Sequence, residues 1–108
     1  MSNSSDRNTY VVVDIRRTRP GSRPELEHTL SELAARFRDL PGVLSVDFTR
    51  LEDDPNRFLS VFRYESVEAR ERFVATDELG ESHRQLNSLW DLDSPVYRGR
   101  SIEKERHG

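Results

Sequence analysis

An α+β fold with the order strand, helix, strand, strand, helix, strand is predicted for this chain by three features of its sequence. Residues Arg57–Tyr64 alternate, with Phe58, Ser60, Phe62 and Tyr64 on one parity and Leu59, Val61 and Arg63 on the other, which is the pattern of a strand. Leu26, Leu30, Leu33, Phe37 and Leu40 recur at helical spacing and form one apolar stripe. Between these segments, the short polar loop Glu52–Asn56 joins two alternating stretches, which are most simply an antiparallel hairpin.

Taken in order, residues 1–8 are small and polar and are expected to be a mobile leader. Tyr10–Ile15 is rich in β-branched residues and predicts a strand reaching about Arg17. It is apolar on both parities, so both of its faces should be covered. Arg19-Pro20-Gly21 is a turn, and Ser22-Arg23-Pro24-Glu25 fits a capping box in which Ser22 caps and Glu25 reaches back. Pro41-Gly42 stops the first helix. Val43–Leu51 predicts a second strand with Leu44, Val46 and Phe48 on its buried face. After the Arg57–Tyr64 strand, Ser66 caps a helix with Val67, Arg70, Phe73 and Val74 inward. Thr76 or Asp77 caps the next, whose stripe is Leu79, His83, Leu86 and Trp90. Pro95–Ile102 predicts a last, weaker strand, and 103–108 is a charged tail. The domain therefore spans 9–102 as a ferredoxin-like βαββαβ unit, a four-stranded antiparallel sheet with helices on one face. Its other face is left bare for a second copy to cover.

Composition points the same way. Apolar content of 33% against charged content of 34% makes a thin core that association would help. The 17 basic and 20 acidic residues are interleaved, which argues against a nucleic-acid partner. Lys104 is the single lysine; the bias to arginine suits a GC-rich, bacterial coding sequence. With no cysteine there is no disulfide framework and no thiolate metal site. No segment resembles a signal peptide and no run of about 18 apolar residues is present to span a membrane, so a cytoplasmic protein is expected.

The opening strand running into TRPGSRPELEHTL, then LPGVLSVDFTRLEDDPNRFLSVFRYESVEARERF, then the histidine of TDELGESH, together resemble the antibiotic biosynthesis monooxygenase family. The likeness runs from about Tyr10 to Ile102. It implies a dimeric α/β barrel, in which two sheets pack face to face and each subunit holds an apolar pocket between sheet and helices. Members include oxygenases that use no metal or flavin on anthrone-type or quinol substrates, haem degraders, and proteins acting in aromatic cyclisation. The family histidine near the start of the last helix matches His83. The tryptophan that many members place at the strand-to-helix junction is Tyr64 here, and the asparagine that haem degraders place in the first strand is Asp14. Those two departures argue against haem degradation, and no cofactor is expected.

A cofactor-free oxygenase needs a base near neutrality, a donor for the developing oxyanion, and a dry apolar site. His83, on an apolar helical stripe, is the candidate base. Tyr64 is the candidate donor, or else a core tyrosine with a wet tip. Phe62, Phe73 and Trp90 are the candidate substrate wall. Asp14, a carboxylate in an apolar strand, either pairs with Arg16, Arg63 or Arg98 or lines a polar spot in the pocket. His28 lies on a solvated face, His107 lies in the tail, and no histidine pair has metal-ligand spacing. The expected function is monooxygenation of a polycyclic or quinol-type aromatic by a homodimer. The alternatives are a non-catalytic small-molecule-binding or accessory module, whose pocket Phe62, Phe73, Leu86 and Trp90 would collapse, and an aromatic polyketide cyclase.

Overall fold

The computed structural model describes residues 9–102, so the expected leader and charged tail, with Lys104 and His107, lie outside the described residues. Strand β1 (Tyr10–Thr18) runs through the interior of one antiparallel sheet. On one side it pairs with β3 (Arg57–Tyr64), which pairs in turn with β2 (Val43–Arg50). On its other side two short strands share one position: β4 (Trp90–Leu92) against Arg16–Thr18, and β5 (Tyr97–Arg100) against Tyr10–Val13. The predicted last strand, Pro95–Ile102, is present as β5, and an additional short strand, β4, precedes it on the same edge, so that edge is divided and five strands stand where four were expected. The division falls at Ser94-Pro95. Pro95 has no N–H for a ladder, and the Ser94 hydroxyl accepts the Ile15 N–H at 2.8 Å in place of a strand carbonyl.

Three helices, α1 (Arg23–Arg38), α2 (Val67–Val74) and α3 (Asp77–Leu86), lie over one face. The α1 stripe of Leu26, Leu30, Leu33 and Phe37 is buried as its spacing predicts. Its cap differs from expectation. Ser22 holds the N-cap position in a helical conformation and its hydroxyl makes no capping bond. A capping side chain bonds an N–H in the first turn from an extended backbone; Ser22 lacks that conformation, and Pro24 removes one of the donors. Ser66 and Thr76 are extended and do cap, accepting the N–H groups of Ala69 at 3.1 Å and Leu79 at 3.2 Å.

Three further expectations are corrected. In β2 a bulge between Val43 and Ser45 turns Leu44 outward, where it is 50% exposed, and Val43 takes the inner place beside Val46. In α2 the buried pair is Ala69 and Phe73, one turn apart, while Val74 is exposed. Helix α3 ends at Leu86, so Trp90 is not on its stripe; it opens β4 opposite Thr18. Leu86 to Leu89 closes that turn through the Leu89 N–H to the Leu86 carbonyl at 2.8 Å.

Gly42 joins α1 to β2 with a φ of +84°, and a Cβ there would stand 2.7 Å from the Ala69 Cβ. The tight approach of α2 to this turn depends on the missing side chain, and the Glu65 N–H bonds the Gly42 carbonyl at 2.9 Å beside it. Gly21, at φ +79°, has open space around it. In urea unfolding, Gly42→Ala is expected to cost about 2–4 kcal/mol, backbone strain plus overpacking. Gly21→Ala is expected to cost about 1 kcal/mol from the left-handed conformation alone. Equal losses at the two positions would contradict the contact with Ala69.

Candidate functional site

The pocket grows out of the alternation of β1 and β3. Tyr10, Val12, Asp14 and Arg16 pair with Tyr64, Phe62, Ser60 and Phe58, which puts all eight side chains on the helix side of the sheet. Helices α2 and α3 stand over this surface through Phe73, Leu79, Ser82 and Leu86, all buried. Between the two layers is a partly enclosed cavity of about 170 Å³. His83, Tyr64, Asp14, Phe62, Phe73 and Trp90 all line it. Trp90 reaches it from a strand rather than from the helix on which its spacing had placed it.

The walls are mostly rings. Phe62 and Tyr64 stack at 6.1 Å between centroids, Phe73 meets Tyr64 at 5.6 Å and Phe37 edge-on at 5.1 Å, and Phe48 meets Phe62 and Trp90 edge-on at 5.7 and 6.1 Å. Such tilted and edge-to-face arrangements leave flat surfaces on which an aromatic ligand packs well.

The polar groups enter at few points. Asp14 is buried at 7% exposure and is gripped by the guanidinium of Arg16, Nε to one carboxylate oxygen at 3.0 Å and Nη2 to the other at 3.3 Å. Both readings of Asp14 are thus met at once, since the same ion pair faces the cavity. Arg16 also lies over the Trp90 ring at 5.2 Å, a cation–π contact that ties β1 to β4. Tyr64 is 3% exposed. Burial pushes its hydroxyl up to about 12, the nearby Arg70 guanidinium pulling back against that and Asp14 adding to it. It therefore keeps its proton and can donate it in a hydrogen bond.

His83 stands at the mouth. The residue is exposed overall, but its side chain borders the cavity. Partial burial and then the positive charge of Arg16 lower its pKa below 6.5. Both effects disfavour the imidazolium, so the ring is neutral at pH 7 and free to accept a proton. His83 and Tyr64 thus line one cavity, the first able to accept a proton and the second able to donate a hydrogen bond.

Arg70 and Arg98 also line the cavity, and sequence reasoning gave them no role there. Arg98 was weighed only as a partner for Asp14. The signal was present for Arg70, which falls on the inward side of its helix; Arg98 is placed only by the pairing of β5, which sets it opposite Val12. A larger groove of about 350 Å³ lies between α1 and β2. Its polar rim is self-satisfied: Arg50 bonds Glu27 at 2.8 Å, Arg38 bonds the Val46 carbonyl at 3.1 Å, and Asp47 accepts from Thr49 at 3.1 Å. Phe48 lines both spaces. Among the described residues no three His, Cys, Asp or Glu side chains converge as a metal site requires.

Arg16, which adds to burial in lowering the His83 pKa, is itself paired with Asp14. Asp14→Asn leaves the Arg16 charge unanswered, so the His83 titration midpoint, followed by NMR, should move further down. Stability should fall by about 1–3 kcal/mol, less than for a wholly buried pair because Arg16 is a quarter exposed. A midpoint that holds or rises would show that Asp14 does not screen Arg16 at His83.

Comparison with known proteins gives a consistent result. A family profile described as antibiotic biosynthesis monooxygenase matches residues 8–85. No curated protein matches the chain. Among solved structures, a Chloroflexus aurantiacus protein provisionally named an antibiotic biosynthesis monooxygenase is 22% identical with a TM-score of 0.72, the match covering 94% of this chain and 98% of that one. A Deinococcus radiodurans protein with the same provisional name is 15% identical at a TM-score of 0.77, covering 88% and 94%. A Bacteroides thetaiotaomicron protein of unknown function is 12% identical at 0.78, covering 88% and 99%. At these identities the solved structures speak for the fold.

Proposed function

Because the chain belongs to the antibiotic biosynthesis monooxygenase family, we propose that its cavity oxidises a small quinol-type aromatic with molecular oxygen, without metal or flavin. The observation that carries the reading is the pairing of a neutral His83 with a protonated Tyr64 on one aromatic-walled cavity. His83 takes the hydroxyl proton of a phenol or enol, and the Tyr64 O–H donates to the resulting oxyanion. The electron-rich anion passes an electron to oxygen, and recombination forms a C–O bond at the activated ring carbon. One oxygen atom stays as a carbonyl, and the other leaves as water with the two hydrogens lost from the substrate.

Size narrows the substrate. At about 170 Å³ the cavity is close to the ~150 Å³ that accommodates benzene and below the ~300 Å³ usual for ligand pockets. One ring fits within it and a second would extend through its open side; a larger polycycle requires Phe48 to swing aside toward the neighbouring groove. The collapsed binding module is disfavoured by an open cavity with two shifted titrating groups, while a cyclase would use the same walls without consuming oxygen.

The functional unit is a homodimer of the 9–102 domain in the cytoplasm. Support comes from the sheet face away from the helices, where Val11, Val13, Ile15, Leu59 and Val61 are only partly covered and Tyr97 is 58% exposed. A second copy of that strip would cover the first. No helix among the described residues is long and apolar enough to cross a membrane.

Purified protein stripped of metal and flavin should consume oxygen with a naphthol or hydroquinone, and His83→Ala should slow it by roughly 10²-fold. Because the His83 pKa lies below 6.5, kcat/KM should be flat at neutral pH and fall only on acidification below that value. Oxygen uptake indifferent to His83, or an acid limb above pH 6.5, would sink this assignment. For the assembly, light scattering should give a dimer mass that Val61→Arg halves; a monomeric native protein would remove the second copy from the reading.

A further inference from the structure

The cavity carries more positive charge than its own carboxylate can answer. Its carboxylate and guanidinium groups are Asp14, Arg16, Arg70 and Arg98, one anion against three cations. Arg16 already engages both oxygens of Asp14. Neither Arg70 nor Arg98 joins an ion pair among the described residues. Arg70 lies beside the Tyr64 hydroxyl, and its Nε is buried with no hydrogen-bond partner. Arg70 is half-buried and Arg98 exposed, and an orphaned N–H beside a cavity calls for an acceptor there.

The geometry points to an anionic substrate, an aromatic hydroxy acid whose carboxylate is held by Arg70 and Arg98 while its ring occupies the aromatic walls. Arg70 comes from α2 and Arg98 from β5, so the helical layer and the sheet each contribute one cation to the same space. A guanidinium presents paired N–H donors that match the two oxygens of a carboxylate. The neighbouring Tyr64 meets the substrate hydroxyl, which suits a carboxylate and hydroxyl placed on adjacent ring carbons. The inference rests on the oxygenase reading for the chemistry that follows binding, and on the charge of the cavity for binding itself.

Salicylate and salicylamide test it, since they share ring and hydroxyl and differ in charge. In calorimetric titrations of the full chain at pH 7 and low salt, salicylate is expected to bind at least about tenfold more tightly. In Arg70→Met the preference should collapse toward parity. Arg98→Met, at an exposed position, should weaken it with little risk to folding. Equal affinities, no binding by either compound, or a preference that survives both substitutions overturns the proposal. Oxygen uptake is measured separately with a quinol. Selective salicylate binding without oxygen uptake keeps the anion site and removes the oxygenase; uptake without charge preference does the reverse.

Discussion

The register between β1 and β3 is the constraint on which the rest depends. Val12 lies opposite Phe62 and Asp14 opposite Ser60, so every second side chain of the two strands faces the helices. The intervening residues, Val13 against Val61 and Ile15 against Leu59, face the other way. A one-residue slip would exchange the two sets, placing valines over the cavity and Asp14 on the open sheet face. Pocket and open apolar face are therefore two consequences of one pairing, since neither can be moved without moving the other.

Within the pocket, local charge does what the small volume cannot. A cavity walled by Phe37, Phe48, Phe62, Phe73 and Trp90 has few polar atoms to screen those present. Arg16 thereby acts on three neighbours at once: it neutralises Asp14, lies on Trp90 and adds to the burial that disfavours the charged form of His83. Burial is the largest influence on both His83 and Tyr64, and it moves them in opposite directions because the charged form it disfavours is a cation in one and an anion in the other. One group is kept able to accept a proton and the other able to donate in a hydrogen bond, which suits an oxygenase that must create and then stabilise an anion.

Much of the fold was legible in the chain, for an identifiable reason. The α1 stripe and the β3 alternation are periodic over many residues, and periodicity is the signal that burial writes into sequence. The errors fall where a single residue changes the phase. Leu44 broke the β2 pattern because a bulge cannot be read from alternation alone, and Trp90 continued the α3 spacing by coincidence after the helix had ended. Ser22 failed as a cap because its backbone is helical where a capping side chain works from an extended one.

The same division holds at the candidate site. Sequence by itself determined the residue types, the central position of an Asp in an apolar strand, and the family to which the order of elements belongs. It determined them because each is a local property of composition, period or motif. Only the tertiary structure decided that Asp14 pairs with Arg16 rather than Arg63 or Arg98, that His83 sits at the mouth rather than deep in the stripe, and that Arg70 and Arg98 face the same cavity without a carboxylate of their own. Those outcomes depend on distances between segments far apart in the chain, where strand register and helix packing set the geometry and no one-dimensional pattern records it.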